Sequence, residues 1–174
     1  MYASCLTLLL LSPSAADPVP IKVRFAGVFS TEREKDLRAL LKEWPEIELK
    51  SFDFESAEAE LRVDAEKLFG KVKPADLIAR LDGHLRQATQ HTMGVKAPCE
   101  VPREKLKRVE IGVVGLDCKA CCLALYEAVA KIDGVERATA SFKDGTVTAL
   151  IDPTKCDRAK LADAIVKRGV ALKP

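Results

Sequence analysis

The chain contains two copies of one apolar pattern, and this internal repeat constrains its fold more than any other feature of the sequence. When the chain is compared with itself at an offset of 88 positions, Gly27 coincides with Gly115. Apolar positions are kept while most polar positions differ, as two related cores require. The pairs matched at this offset include Val23 with Ile111, Phe25 with Val113, Leu37 with Leu125, Leu41 with Val129, Trp44 with Ile132, Ile47 with Val135 and Phe54 with Phe142. The first copy then carries four extra residues, after which Leu77 matches Leu161 and Leu81 matches Ile165.

Each copy predicts the same order of elements, strand–helix–strand–strand–helix–strand. Alternating apolar residues favour strands, apolar residues at helical spacing favour helices, and the pair Asp144-Gly145 is typical of a hairpin turn. The predicted first strands are 21–27 and 108–114, the strand pairs are 48–54 with 58–64 and 136–142 with 146–151, the second helices are 74–90 and 157–168, and the last strands lie at Val95 and 170–173.

This order predicts an α+β chain of two ferredoxin-like βαββαβ domains, each with two helices on one face of a four-stranded antiparallel sheet. The expected boundaries are 20–95 for the first domain and 106–174 for the second. Residues 96–105 are predicted to form a linker, since Pro98 and Pro102 disfavour regular structure there.

The chemistry of the second copy is concentrated in Gly115-Leu116-Asp117-Cys118-Lys119-Ala120-Cys121-Cys122, between a predicted strand and a predicted helix. Two cysteines spaced C-x-x-C at a helix start can direct both sulfurs at one point. A helix N-terminus stabilises thiolates, and thiolates select soft ions such as copper(I) and zinc. Cys118 and Cys121 are therefore the predicted ligands of an open metal site with two sulfurs.

This segment resembles the signature of the heavy-metal-associated (HMA) domain family, and the resemblance extends over residues 106–172, including Ile132-Asp133-Gly134-Val135. The family includes copper chaperones, the periplasmic mercury-binding protein and the amino-terminal domains of metal-pumping P-type ATPases. The resemblance implies metal binding by Cys118 and Cys121, with transfer to or from a partner protein and no catalysis. Leu116 stands where the family usually has Met, an exchange that keeps the apolar packing.

Two neighbouring residues are possible further ligands. Asp117 before the first cysteine is similar to the zinc, cadmium and lead pumps, so a divalent soft ion is as well supported as copper(I). Cys122 shares a helical stripe with apolar residues, which favours a core position over a ligand role. Lys167 and Arg168 lie in the loop that often tunes the metal site in the family, although solvated basic residues at a helix end are an equal alternative.

The first copy lacks this chemistry, because Ser30 and Arg33 occupy the positions of the two cysteines. We expect it to be a degenerate relative with a structural or partner-binding role. Its two histidines, His84 and His91, are more typical of surface groups than of ligands.

Two other functions remain open. The C-x-x-C pair also occurs in thiol–disulfide oxidoreductases, and ferredoxin-like sheets also serve as protein-interaction modules. The net charge of +2 is too small to predict a nucleic-acid partner.

The first 16 residues contain no charged group and combine an apolar run with Ser14-Ala15-Ala16, which predicts a signal peptide and export to the periplasm or outside the cell. The run is too short to span a bilayer, so no membrane span is expected after cleavage. An oxidising compartment would permit a disulfide, and Cys99 with Cys156 is the pair that the predicted fold places together.

Overall fold

A computed structural model describes residues 17–116 and 118–173, so the predicted signal segment, Asp117 and Pro174 lie outside the described residues. The first unit comprises β1 (Val19–Ala26), α1 (Thr31–Lys42), β2 (Ile47–Asp53), β3 (Glu58–Val63), α2 (Ala65–Phe69), α3 (Leu77–Ala88) and β4 (Gly94–Lys96). The second unit comprises β5 (Lys107–Val114), α4 (Lys119–Ala130), β6 (Val135–Ser141), β7 (Thr146–Ile151), α5 (Arg158–Lys167) and β8 (Ala171–Leu172).

The strands form two antiparallel four-stranded sheets with the orders β2-β3-β1-β4 and β6-β7-β5-β8. These two orders are the same permutation, in which the first strand of each unit lies between its third and fourth strands. The prediction of an α+β fold with two ferredoxin-like units is therefore confirmed.

Each sheet buries alternate residues against its helices. In the second unit β5 contributes Val109, Ile111 and Val113, and these pack with residues of α4 and α5 such as Leu125 and Ile165. The first unit is built in the same way around Val23, Leu37, Leu61 and Leu81. The core of each unit thus places the start of that unit's first helix at the end of its first strand.

One helix was not predicted. Residues 74–90 were expected to be a single helix, whereas Pro74–Asp76 form a 3-10 turn before α3, and the additional helix α2 precedes them. Asp64 caps α2 by accepting a hydrogen bond from the Lys67 amide at 3.2 Å. A helix of five residues is too short to produce an apolar period, which explains why the sequence pattern did not indicate it.

Two expectations about single residues are wrong. Cys99 and Cys156 are both free thiols, so they form no disulfide: Cys156 is buried in the core of the second unit, while Cys99 is half-buried beside Glu136. His84 is not a simple surface group, because its ring lies 4.4 Å from that of Trp44 and its buried Nε2 atom has no hydrogen-bond partner. Within the described residues, no helix is long and apolar enough to cross a membrane.

The two units touch through charged and polar groups near β6. Arg24 forms an ion pair with Glu136 at 2.5 Å, and both side chains are largely buried. The Arg137 guanidinium is also buried, and it donates to the Phe54 carbonyl of the first unit at 3.0 and 3.3 Å. A bulge between Val135 and Arg137 interrupts the alternation of β6, and both of these charged residues lie at it.

Candidate metal centre at the start of α4

The loop that carries the first cysteine leaves β5 through Gly115, whose φ of +83° requires the left-handed conformation that glycine adopts without strain. Leu116 follows and is buried in the core, as predicted from its match to the family's Met. The buried leucine anchors the loop immediately before the cysteines. Asp117, the predicted additional ligand, lies outside the described residues.

Cys118 is the N-cap residue of α4, and its sulfur lies at the positive end of the helix. Its backbone is extended, and its Sγ accepts a hydrogen bond from the Cys121 amide at 3.2 Å. The Cys118 carbonyl accepts from the Cys122 amide at 3.1 Å and so begins the helix. Cys118 is exposed and Cys121, in the first turn, is half-buried. The structure thus places both predicted ligand residues at one accessible helix end.

Cys122 points away from this accessible end and into the core. It is 1% exposed and packs within the apolar cluster of the second unit. Burial raises the pKa of the Cys122 thiol, although a hydrogen bond from the Phe142 backbone partly offsets this effect. A buried thiol that is harder to ionise is a poor metal ligand, and this agrees with the preference for a core role.

The basic pair Lys167 and Arg168, for which tuning of the metal site and simple solvation were both expected alternatives, lies at the carboxyl end of α5, where both residues are exposed. Across residues 17–116 and 118–173, no three His, Cys, Asp or Glu side chains are grouped as a closed metal site. A site made from Cys118 and Cys121 therefore draws only two of its ligands from the described part of the chain.

The equivalent loop of the first unit has the same backbone conformation, but a serine and an arginine replace the two cysteines. Ser30 caps α1 with nearly the same dihedral angles as Cys118, and its Oγ accepts from the Arg33 amide at 3.3 Å. Arg33 then donates to the Gly27 carbonyl at 3.3 Å and to the Thr92 hydroxyl at 2.8 Å. The side chain in the second cysteine position thus holds its own loop in place.

The glycines of the two loops differ in the space around them. A Cβ added to Gly27 would lie 2.0 Å from the Thr92 carbonyl oxygen, whereas one added to Gly115 would meet no described residue within 4 Å beyond its two chain neighbours. Both glycines have a φ of +83°. Gly27 is therefore packed against Thr92, whereas Gly115 has no such contact among the described residues.

Strand order, helix placement and the cysteines at the start of the first helix define the second unit as a ferredoxin-like domain with a C-x-x-C pair at the start of its first helix. No protein-family model and no curated protein matches the whole chain or any part of it.

Solved structures do match. The chain is similar to the CopZ metallochaperone, at 28% identity over 38% of this chain and 100% of that one, with a TM-score of 0.38. It is also similar to the N-terminal domain of a potential copper-translocating P-type ATPase from Bacillus subtilis, at 31% identity over 39% of this chain and 85% of that one, with a TM-score of 0.37.

A third match is oxidized MerP from Ralstonia metallidurans CH34, at 25% identity over 40% of this chain and 99% of that one, with a TM-score of 0.37. Each alignment thus spans nearly the whole of a small protein or domain and about two fifths of this chain, which is the length of one unit.

Proposed function

We propose that this protein binds a soft metal ion through Cys118 and Cys121 and passes it to or from a partner protein. The observation that supports this most directly is the position of the two cysteines. One is the exposed cap of α4, and the other is a half-buried residue of its first turn.

The helix end favours the thiolate form that a metal ion needs. The Cys121 amide already donates to the Cys118 sulfur, and the positive end of the helix stabilises negative charge there. A thiolate has several lone pairs, so the sulfur can keep this hydrogen bond while it binds an ion. Binding of an ion by the Cys118 sulfur is therefore compatible with its role as the cap of α4.

A site with two sulfurs leaves room for a third ligand from another molecule. In the proposed transfer, a thiolate of the partner binds the ion first and one of the two cysteines then leaves, so the ion is never without sulfur ligands. The ion is cargo in this scheme. The proposal includes no catalysed reaction and no membrane pathway of the chain's own.

One neighbour named above is a metallochaperone, another is part of a potential copper-translocating ATPase, and a further match is the N-terminal domain of a zinc(II) ATPase. We therefore propose an ion of the copper(I), zinc, cadmium or mercury class. Asp117 is a proposed third ligand for a divalent ion, because a carboxylate adds a hard oxygen donor. Export of the protein remains part of the proposal, as does the two-domain division at 96–105.

The test is a titration of the fully reduced protein with copper(I), zinc, cadmium and mercury(II), with native mass detection of bound ions. We expect one ion per chain, retained against a small thiol competitor, and none in the double variant Cys118→Ser, Cys121→Ser. A Cys156→Ser variant is the matched control, since the Cys156 sulfur is buried and this residue does not belong to the loop or first turn of α4. Rapid reduction of insulin without ion retention would favour the oxidoreductase alternative instead.

A further inference from the structure

The loop of the first unit that has lost the metal ligands is inserted into the second unit. Val28 is fully buried in the core of the first unit, whereas the next residue, Phe29, belongs to the core cluster of the second. At the offset of 88 positions Phe29 occupies the place of Asp117. Two consecutive apolar side chains thus enter two different cores.

The contacts of this loop are made to α4 and β6. The Gly27 amide donates to the Tyr126 hydroxyl at 2.7 Å in a buried hydrogen bond. The rings of Phe29 and Tyr126 are 5.2 Å apart, and the Phe29 carbonyl accepts from the Ala140 amide of β6 at 3.2 Å. Tyr126 lies on the same helix that begins at Cys118 and contains Cys121.

The loop is well suited to act as a fixed support, because its own conformation is held by the first unit. Arg33 donates to the Gly27 carbonyl and lies 5.9 Å above the Phe29 ring. Thr92 accepts from Arg33 and packs behind Gly27. The amide that donates to Tyr126 therefore belongs to a loop that hydrogen bonds within the first unit hold in place.

We infer that the first unit holds the metal-binding helix in place, and that Tyr126 is a positioning residue for the ion bound at Cys118 and Cys121; this inference rests on the proposed function. An ion that grips both sulfurs fixes the start of α4. The Gly27–Tyr126 hydrogen bond fixes the same helix from the neighbouring unit. Because outer contacts that orient ligands reduce the ordering cost of binding, the two events are coupled.

The coupling is tested on the full chain with cadmium(II) as the probe. Tyr126→Phe keeps the ring but removes the hydroxyl, and Glu136→Gln is the matched control, since it weakens a different contact between the units, the ion pair with Arg24. We expect cadmium to dissociate into excess chelator about fivefold faster from Tyr126→Phe than from the unaltered protein, and within about twofold of it from Glu136→Gln.

Linkage supplies a second measurement that needs no variant. If cadmium binding and the interface are coupled, cadmium must strengthen the interface by the same factor by which the interface strengthens the affinity for cadmium. Amide exchange of Gly27, followed by NMR in the unaltered protein, should slow about fivefold on cadmium loading. If Tyr126 had a purely structural role, Tyr126→Phe would lower thermal stability without changing the cadmium dissociation rate, and cadmium would leave the exchange of the Gly27 amide unchanged.

The outcomes separate the inference from the proposed function. If the unaltered protein takes up no cadmium, the proposed function fails and the inference fails with it. If it binds cadmium but the dissociation rates of Tyr126→Phe and the unaltered protein agree, or Gly27 exchange is unaffected, only the inference is overturned. Equal acceleration in both variants would also overturn it, because Tyr126 would then act only by holding the units together.

Discussion

At the scale of single residues, Cys118 carries two tasks that the chain separates elsewhere. As the N-cap of α4 it accepts an amide hydrogen bond, and as a thiol it can bind an ion. Ser30 performs the first task alone at the start of α1, with the same extended backbone. The repeat thus supplies an internal reference for what the sulfur adds.

This comparison predicts the effect of Cys118→Ser. Because serine is a preferred cap residue, the free energy of unfolding should change by no more than about 0.5 kcal/mol. Ion affinity should fall at least about a hundredfold, since one of two sulfur ligands is lost. Denaturant titration and ion competition measure the two effects separately, and a large loss of stability with affinity intact would contradict the account.

Cys122→Ala tests the assignment of Cys122 to the core. The variant should still bind one ion per chain, because its sulfur is buried away from the helix end. Its free energy of unfolding should fall by about 1 kcal/mol, since the smaller side chain leaves a cavity among packed residues. Native mass detection of the loaded variant gives the count, and loss of the ion would make Cys122 a ligand after all.

At the scale of elements, the strand-to-helix turn after the first strand is used twice with different surroundings. Gly27 and Gly115 share a φ of +83°, but among the described residues a backbone oxygen, that of Thr92, lies directly behind Gly27 and none lies behind Gly115. Gly27 is therefore required both by its positive φ and by the nearby Thr92 oxygen, whereas Gly115 is required by its positive φ.

The pair of substitutions Gly27→Ala and Gly115→Ala separates these reasons. Gly115→Ala should cost about 1–2 kcal/mol of folding free energy, the strain of a left-handed residue that carries a Cβ. Gly27→Ala should cost about 3 kcal/mol or more, because the Thr92 carbonyl must also move. Denaturant midpoints of the two variants provide the comparison, and equal costs would show that Thr92 moves without penalty.

The sequence predicted the strands and main helices because their apolar periods are long and occur twice. It indicated Cys118 and Cys121 as the candidate ligands for a simpler reason, since their spacing and a preceding glycine suffice to propose the site. It missed α2, which is too short to produce a period, and it could not distinguish Phe29 from an ordinary core residue. Apolar character shows that a side chain is buried, but it does not show in which unit.

At the scale of the whole molecule, the units are joined by buried polar groups as well as by Phe29. Arg137 is 6% exposed, and burial lowers the pKa of its guanidinium to about 10. Its donors are satisfied by the carbonyls of Phe54 and Ala138. Because a buried guanidinium without these partners would be costly, Arg137 stabilises the contact between the units.

The ion pair between Arg24 and Glu136 predicts a pH dependence. Burial alone would raise the pKa of Glu136, but the hydrogen bond and charge of Arg24 outweigh it, with smaller contributions from Cys99 and Lys155, and leave that pKa below its ordinary value. A depressed carboxyl pKa contributes stability above the unfolded pKa of about 4.3, and this is lost as the pH falls through the folded value.

Glu136→Gln should therefore lower the free energy of unfolding by about 1–3 kcal/mol at pH 7. The difference from the unaltered protein should stay constant down to about pH 4.5 and shrink below it. Urea titrations of both proteins between pH 3 and 7 provide the measurement. A difference that persists unchanged at pH 3 would show that the carboxylate charge contributes nothing to the interface.

The most direct test of the central claim is X-ray absorption spectroscopy of the reduced, ion-loaded protein, which counts the sulfur atoms around the ion. The account predicts two sulfur scatterers supplied by the chain, and their loss in the double variant Cys118→Ser, Cys121→Ser. An environment of oxygen and nitrogen alone, or a sulfur count unchanged in that variant, would contradict it.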